Sequence, residues 1–96
     1  MESYRTAIRK DPKNYYSFCN LGIVYDNKGE YKSAIEHYLK ALAINPNYTE
    51  CHFRLGLTYK RAGSRGKAKE CFEKCLSINK NYGKARKELQ LLAEGK

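Results

Sequence analysis

Laying the chain on itself at an offset of 34 residues brings Gly22 onto Gly56, and a whole register follows. Leu21 falls on Leu55, Tyr25 on Tyr59, Gly29 on Gly63, Ala34 on Ala68, Tyr38 on Phe72, Leu42 on Leu76 and Asn45 on Asn79. A repeat of this length is one supersecondary unit that cannot bury its apolar face alone, so neighbouring units have to stack. Shifting back by one period lays Tyr4, Ala7, Ile8 and Pro12 on Tyr38, Ala41, Leu42 and Pro46. The chain therefore opens in the second half of a preceding unit, and its 96 residues form one cooperative domain, too small for a large enzyme.

Inside each unit the spacing is helical. Phe18, Leu21, Gly22 and Tyr25 recur at steps of three and four, and so do Tyr31, Ala34, Ile35, Tyr38, Ala41 and Leu42. Asn27-Lys28-Gly29-Glu30 and Ala62-Gly63-Ser64 break the units, because glycine enters the left-handed region that closes a helix. Turns this short force the two helices antiparallel. Asn45-Pro46-Asn47 stops one unit and starts the next, whereas Asn79-Lys80-Asn81 does so without a proline. Gly22, Ala34, Gly56 and Ala68 are expected where helix backbones cross, with Tyr25, Tyr38, Tyr59 and Phe72 filling the space between units.

Phe18-x2-Leu21-Gly22-x2-Tyr25, followed by Ala34, Tyr38, Ala41 and Pro46, closely resembles the signature of the tetratricopeptide repeat family. The second unit departs from it at His52, where a large apolar residue is preferred, at Cys75 in place of a small alanine, and at Lys80 in place of proline. The resemblance implies an all-α, right-handed solenoid of antiparallel helix pairs. Its parts are a half unit at 1–12, full units at 13–46 and 47–80, and a capping helix at 82–94 with Ala85, Leu89, Leu92 and Ala93 on one face. Helix 2–10 lacks the partner that would cover Tyr4 and Ile8, which fits a chain cut from a longer array. Its uncovered face and the last helix are complementary, so weak head-to-tail self-association is expected.

The net charge is +9, and it is uneven: residues 1–48 carry seven basic and five acidic side chains, residues 49–96 twelve and five. An acidic partner is favoured. Nucleic acid is disfavoured, since no recognition helix or stacking platform accompanies the charge. No stretch nears the roughly 18 apolar residues of a membrane span, and Met1–Lys10 has no signal-peptide core, so a cytoplasmic protein is expected, with the nucleus left open. The four cysteines fall inside helical patterns, as reduced thiols would. Cys71 and Cys75 share a helix face but lack two further zinc ligands nearby, and Gly63-Ser64-Arg65-Gly66-Lys67 lacks phosphate-loop spacing. No metal, cofactor or catalytic group is expected, and His52 is read as a packed imidazole rather than a base.

In the family that this chain resembles, the first helix of each unit lines a concave groove that binds peptides. The resemblance places Tyr16, Cys19, Asn20, Ile23 and Asn27 there, then Glu50, Phe53, Arg54, Leu57, Lys60 and Arg61, then Lys84, Lys87 and Leu91. A lining of apolar Ile23, Phe53 and Leu57 with cationic Arg54, Lys60, Arg61 and Lys87 suits a peptide or protein with hydrophobic anchors and negative charge. Some family members grip terminal carboxylates with a lysine, asparagine and arginine set; Asn20 and Arg54 match it, whereas Glu50 stands where a lysine belongs. An interaction scaffold without chemistry is the leading reading, a spacer within a longer solenoid the alternative, and a basic nucleic-acid module the third.

Overall fold

The computed structural model describes residues 14–95; the half unit expected at 1–12 lies outside them. Five helices follow in order: α1 (Asn14–Asn27), α2 (Tyr31–Ile44), α3 (Thr49–Arg61), α4 (Arg65–Ile78) and α5 (Gly83–Ala93). Among the described residues there is no strand, and no helix is long and apolar enough to cross a membrane. The antiparallel pairs α1–α2 and α3–α4 stack side by side, with α5 on α4, giving the all-α repeat solenoid that the register predicts.

Both units close their first helix in the same way. Gly29 and Gly63 take φ of 84° and 91°. The Glu30 and Ser64 N–H groups then reach back to the Tyr25 and Tyr59 carbonyls at 2.9 and 2.8 Å, while Gly29 and Gly63 donate to Asp26 and Lys60 at 3.0 and 3.1 Å. This pair of bonds satisfies carbonyls that the helix end leaves open, and it needs a residue without Cβ at the left-handed position. Between units, the Tyr48 and Tyr82 N–H groups donate to the Asn45 and Asn79 carbonyls, both at 3.1 Å. The second of these turns keeps its shape without proline because the Asn79 side chain accepts from the Asn81 N–H at 3.1 Å.

Ala34 and Ala68 are fully buried, as the packing argument requires. Gly22 and Gly56 are crowded by rings rather than by backbone. A Cβ on Gly22 would lie 2.6 Å from the Tyr38 ring, and one on Gly56 2.6 Å from that of Phe72. Each aromatic thus lies first beneath the glycine of its own unit. Two apolar clusters result, one around Cys19, Tyr38, Cys51 and Leu55, the other around Phe53, Phe72, Cys75 and Ala85, with Tyr59 touching both. The Cys51 thiol donates to the Tyr38 carbonyl at 3.3 Å, and the Cys75 thiol to that of Thr49 at 3.4 Å. Cys75 therefore replaces a small alanine by filling the site and adding a hydrogen bond to the neighbouring helix.

Candidate functional site

The helices α1, α3 and α5 carry the residues expected to line the groove. On α1, which has Asp26 as its one charged residue, Tyr16, Asn20 and Asn27 are exposed and Ile23 is half-buried. On α3, Leu57 is half-buried, and on α5, Lys84 and Lys87 are exposed with Leu91 half-buried beyond them. Phe53 corrects the expectation of an apolar anchor in the groove. It is 8% exposed, packed against the rings of Phe72 and Tyr82 at 5.7 and 5.6 Å, so it is core rather than docking surface. Cys19 is likewise buried.

The cations expected to face a ligand already hold carboxylates. Arg54 Nε meets Glu50 Oε2 at 3.2 Å, one turn away on the same helix, with both side chains about two-fifths exposed (39% and 41%). Glu50 also accepts from the Tyr82 hydroxyl at 3.4 Å, and burial together with that carboxylate pushes the phenol up to about 12. Lys60 Nζ meets Glu88 Oε1 at 2.9 Å, tying α3 to α5. Arg61 grips Asp26 Oδ2, tying α3 to α1 across the unit boundary, and here the carboxylate is only 7% exposed against 50% for the arginine. Among the described residues, Lys84 and Lys87 make no ion pair.

These three pairs differ in what a ligand can do to them. An exposed pair within one helix contributes about 0.3–0.5 kcal/mol and is easily exchanged. Taking Arg61 from Asp26 would strand a buried carboxylate, which costs far more. Arg54 is therefore the cation of the three that an incoming acid can recruit. Asp26 and Glu88 were not among the sequence candidates, although a signal existed. The register position that holds Asp26 in the first unit holds Lys60 in the second. Opposite charges one period apart lie on neighbouring helices of a stack.

The remaining candidates are structural. His52 donates its Nε2–H to the Pro46 carbonyl, 2.8 Å away, since the carbonyl can only accept. Burial, and then the Lys74 charge, hold this imidazole below its ordinary range against the opposing pull of the carbonyl, so it is neutral at pH 7. Cys51 is raised by the neighbouring Cys19 sulfur and by burial, and burial pushes Cys71 up to about 11 and Cys75 to about 12. These three sulfurs are thiols at neutral pH.

Two consecutive stretches, residues 15–48 and 49–82, each match a family model described as tetratricopeptide repeat. Over 48 residues, 50% of this chain, it is 42% identical to a probable UDP-N-acetylglucosamine–peptide N-acetylglucosaminyltransferase SPINDLY of Solanum lycopersicum. Over 47 residues, 49% of the chain, it is 36% identical to protein bimA of Emericella nidulans. The chain spans only 5% and 6% of the lengths of these relatives. Among solved structures, MamA superposes with a TM-score of 0.83 at 30% identity, covering 98% of this chain and 51% of that one. The first TPR of Spaghetti (RPAP3), bound to the HSP90 peptide SRMEEVD, gives 0.82 at 23% identity, covering 98% and 75%, a likeness of fold.

Proposed function

Because the chain belongs to the tetratricopeptide repeat family, whose stacked units present extended surfaces for contacts between proteins, we propose that its groove binds an acidic peptide segment of a partner protein and performs no chemistry. The observation that carries this reading is the set of cations on the expected lining helices that a ligand can engage: Lys84 and Lys87, exposed on α5, and Arg54 on α3 in an exposed, exchangeable pair. A ligand carboxylate takes the place of Glu50 on Arg54, and a further one engages Lys87 on α5. The uncharged stretch of Tyr16, Asn20, Ile23 and Asn27 on α1 accepts the polar and apolar remainder. Glu50 acts as an internal competitor for the same guanidinium, which selects ligands that offer more than one negative charge.

A library of acidic and C-terminal-carboxylate peptides, titrated at moderate salt, tests the proposal beside the double variant Arg54→Glu, Lys87→Glu. Saturable binding lost in that variant supports the groove as the site. Arg61→Glu is unsuited to this test because it strands Asp26. Silence across the library with the fold intact rejects peptide capture by these units and favours a spacer.

A further inference from the structure

One set of differences between the two units lies where the first helix of each unit meets the second. In the first, the Phe18 ring stands 6.4 Å from that of His37, which stacks on Tyr25 at 4.9 Å, and the Lys40 ammonium lies 5.9 Å from the Phe18 ring centre. One period on, Phe18 becomes His52, His37 becomes Cys71, and Tyr25 and Lys40 keep their types as Tyr59 and Lys74. Both replacements are smaller, and His52 is held at the turn by its bond to the Pro46 carbonyl. A cleft of about 460 Å³ lies there, floored by His52, Leu55 and Tyr59 of α3 and walled by Leu39 of α2 and Cys71 of α4. It opens beside Leu39, which is 48% exposed. Lys67 and Lys74 stand at its rim with a single carboxylate, Glu70. Lys67 lies 5.6 Å from the Tyr59 ring centre.

We propose that this cleft is a second docking site, which takes a phenylalanine side chain flanked by acidic residues from a partner protein. The guest ring supplies what Phe18 and His37 supply together in the first unit: an aromatic surface against Tyr59, as His37 lies against Tyr25, with Lys74 above it, as Lys40 lies above Phe18. The rim is net positive, so carboxylates on either side of the guest complement Lys67 and Lys74. An aliphatic guest would fill the volume without engaging the ammonium.

The probe is an acetylated, amidated pentapeptide with a central phenylalanine between pairs of aspartates, followed by amide and imidazole NMR shifts. Saturable shifts at His52, Leu55 and Cys71 are expected, and they persist in the groove variant Arg54→Glu, Lys87→Glu, in which any accompanying shifts at Ile23 and Leu57 are lost. Placing lysines for the aspartates, or reversing the rim with Lys67→Glu and Lys74→Glu, weakens binding. His52→Phe with Cys71→His rebuilds the first unit's ring pair inside the second and reduces affinity about tenfold or more, the worth of one buried ring. Leu39→Glu, at an exposed wall position that folding tolerates, has the same effect on binding if the double variant misfolds. The groove variant Arg54→Glu, Lys87→Glu keeps the affinity read from the cleft shifts, so the two sites fail independently. Shifts confined to the groove, equal binding by the filled-cleft or Leu39→Glu variant, or no saturation with folded protein would each overturn the proposal.

Discussion

Arg61 and Asp26 form one ion pair, yet removing the two partners should have very unequal consequences. Asp26 is 7% exposed, and its second oxygen, Oδ1, has no hydrogen-bond partner among the described residues. It also lies in the last turn of α1, where the carbonyl end of the helix repels a negative charge. The carboxylate is tolerated there because Arg61 compensates it. Arg61→Ala leaves that charge buried and alone. Loss of one member of a fully buried pair costs about 3–5 kcal/mol; with the arginine half in solvent the figure falls to about 2 kcal/mol after discounting for screening. In a domain of this size that is a fall of about 8–16 °C in melting temperature. Asp26→Asn keeps the shape and an oxygen for Arg61 while removing the stranded charge and the clash with the helix end, so its cost stays below about 1 kcal/mol. Urea titration followed by circular dichroism reads both variants. If Asn at 26 proved more damaging than Ala at 61, or if Arg61→Ala unfolded like the parent, the assignment of Arg61 as a clamp between units would be wrong.

Three further outcomes follow from the packing. Gly56→Ala gains about 1 kcal/mol of helix propensity but drives its Cβ to 2.6 Å from the fully buried Phe72 ring, which costs about 1–3 kcal/mol. It should lower stability in the parent and become harmless in a Phe72→Leu background; denaturation midpoints of the four proteins decide, and a stabilising Gly56→Ala alone would contradict the packing. Because His52 is held below its ordinary value of 6.5 in the folded chain, the unfolded chain takes up this proton first as pH drops. Stability is then full above about 6.5 and declines below it, until the folded imidazole also protonates. Urea midpoints between pH 7.5 and 5 should fall less steeply for His52→Phe, and parallel slopes would refute the assignment. Glu50→Gln releases Arg54 from its pair and should raise affinity for an acidic peptide about two- to fivefold, measured by calorimetry; weaker binding would show that Glu50 shapes the site rather than competing for it.

The period, the antiparallel pairing and the left-handed glycines were legible because each depends on residues a few positions apart. Gly29 and Gly63 needed nothing from the rest of the chain to be read as helix ends. Phe53 was misread because its burial depends on Tyr82, at the edge of the last turn, closing over it beside Phe72. A register position alone does not say which side of a helix its neighbour covers. Register position names cations for the expected groove but not their partners, since Arg61 meets a carboxylate 35 residues away and Lys60 one 28 residues away. Separations close to one period are where a stacked repeat places its contacts, and Asp26 opposite Lys60 in the register was the available clue. The cleft over His52 was visible in sequence only as a departure from the family pattern. Its volume depends on Cys71 as well, a position outside that pattern.

The thiols described above also give the fold an internal clock. Cys19, Cys51 and Cys75 are buried, and Cys71 is half-exposed. A thiol reagent in solution meets Cys71 directly, whereas each of the others becomes available only while its junction stands open. Cys51 marks separation of α3 from α2, and Cys75 marks separation of α4 from the start of α3, because those are the carbonyls that their hydrogens hold. Labelling order followed by mass spectrometry would therefore report, without any engineered probe, which joint of the stack breathes first and whether a bound partner slows one joint or both.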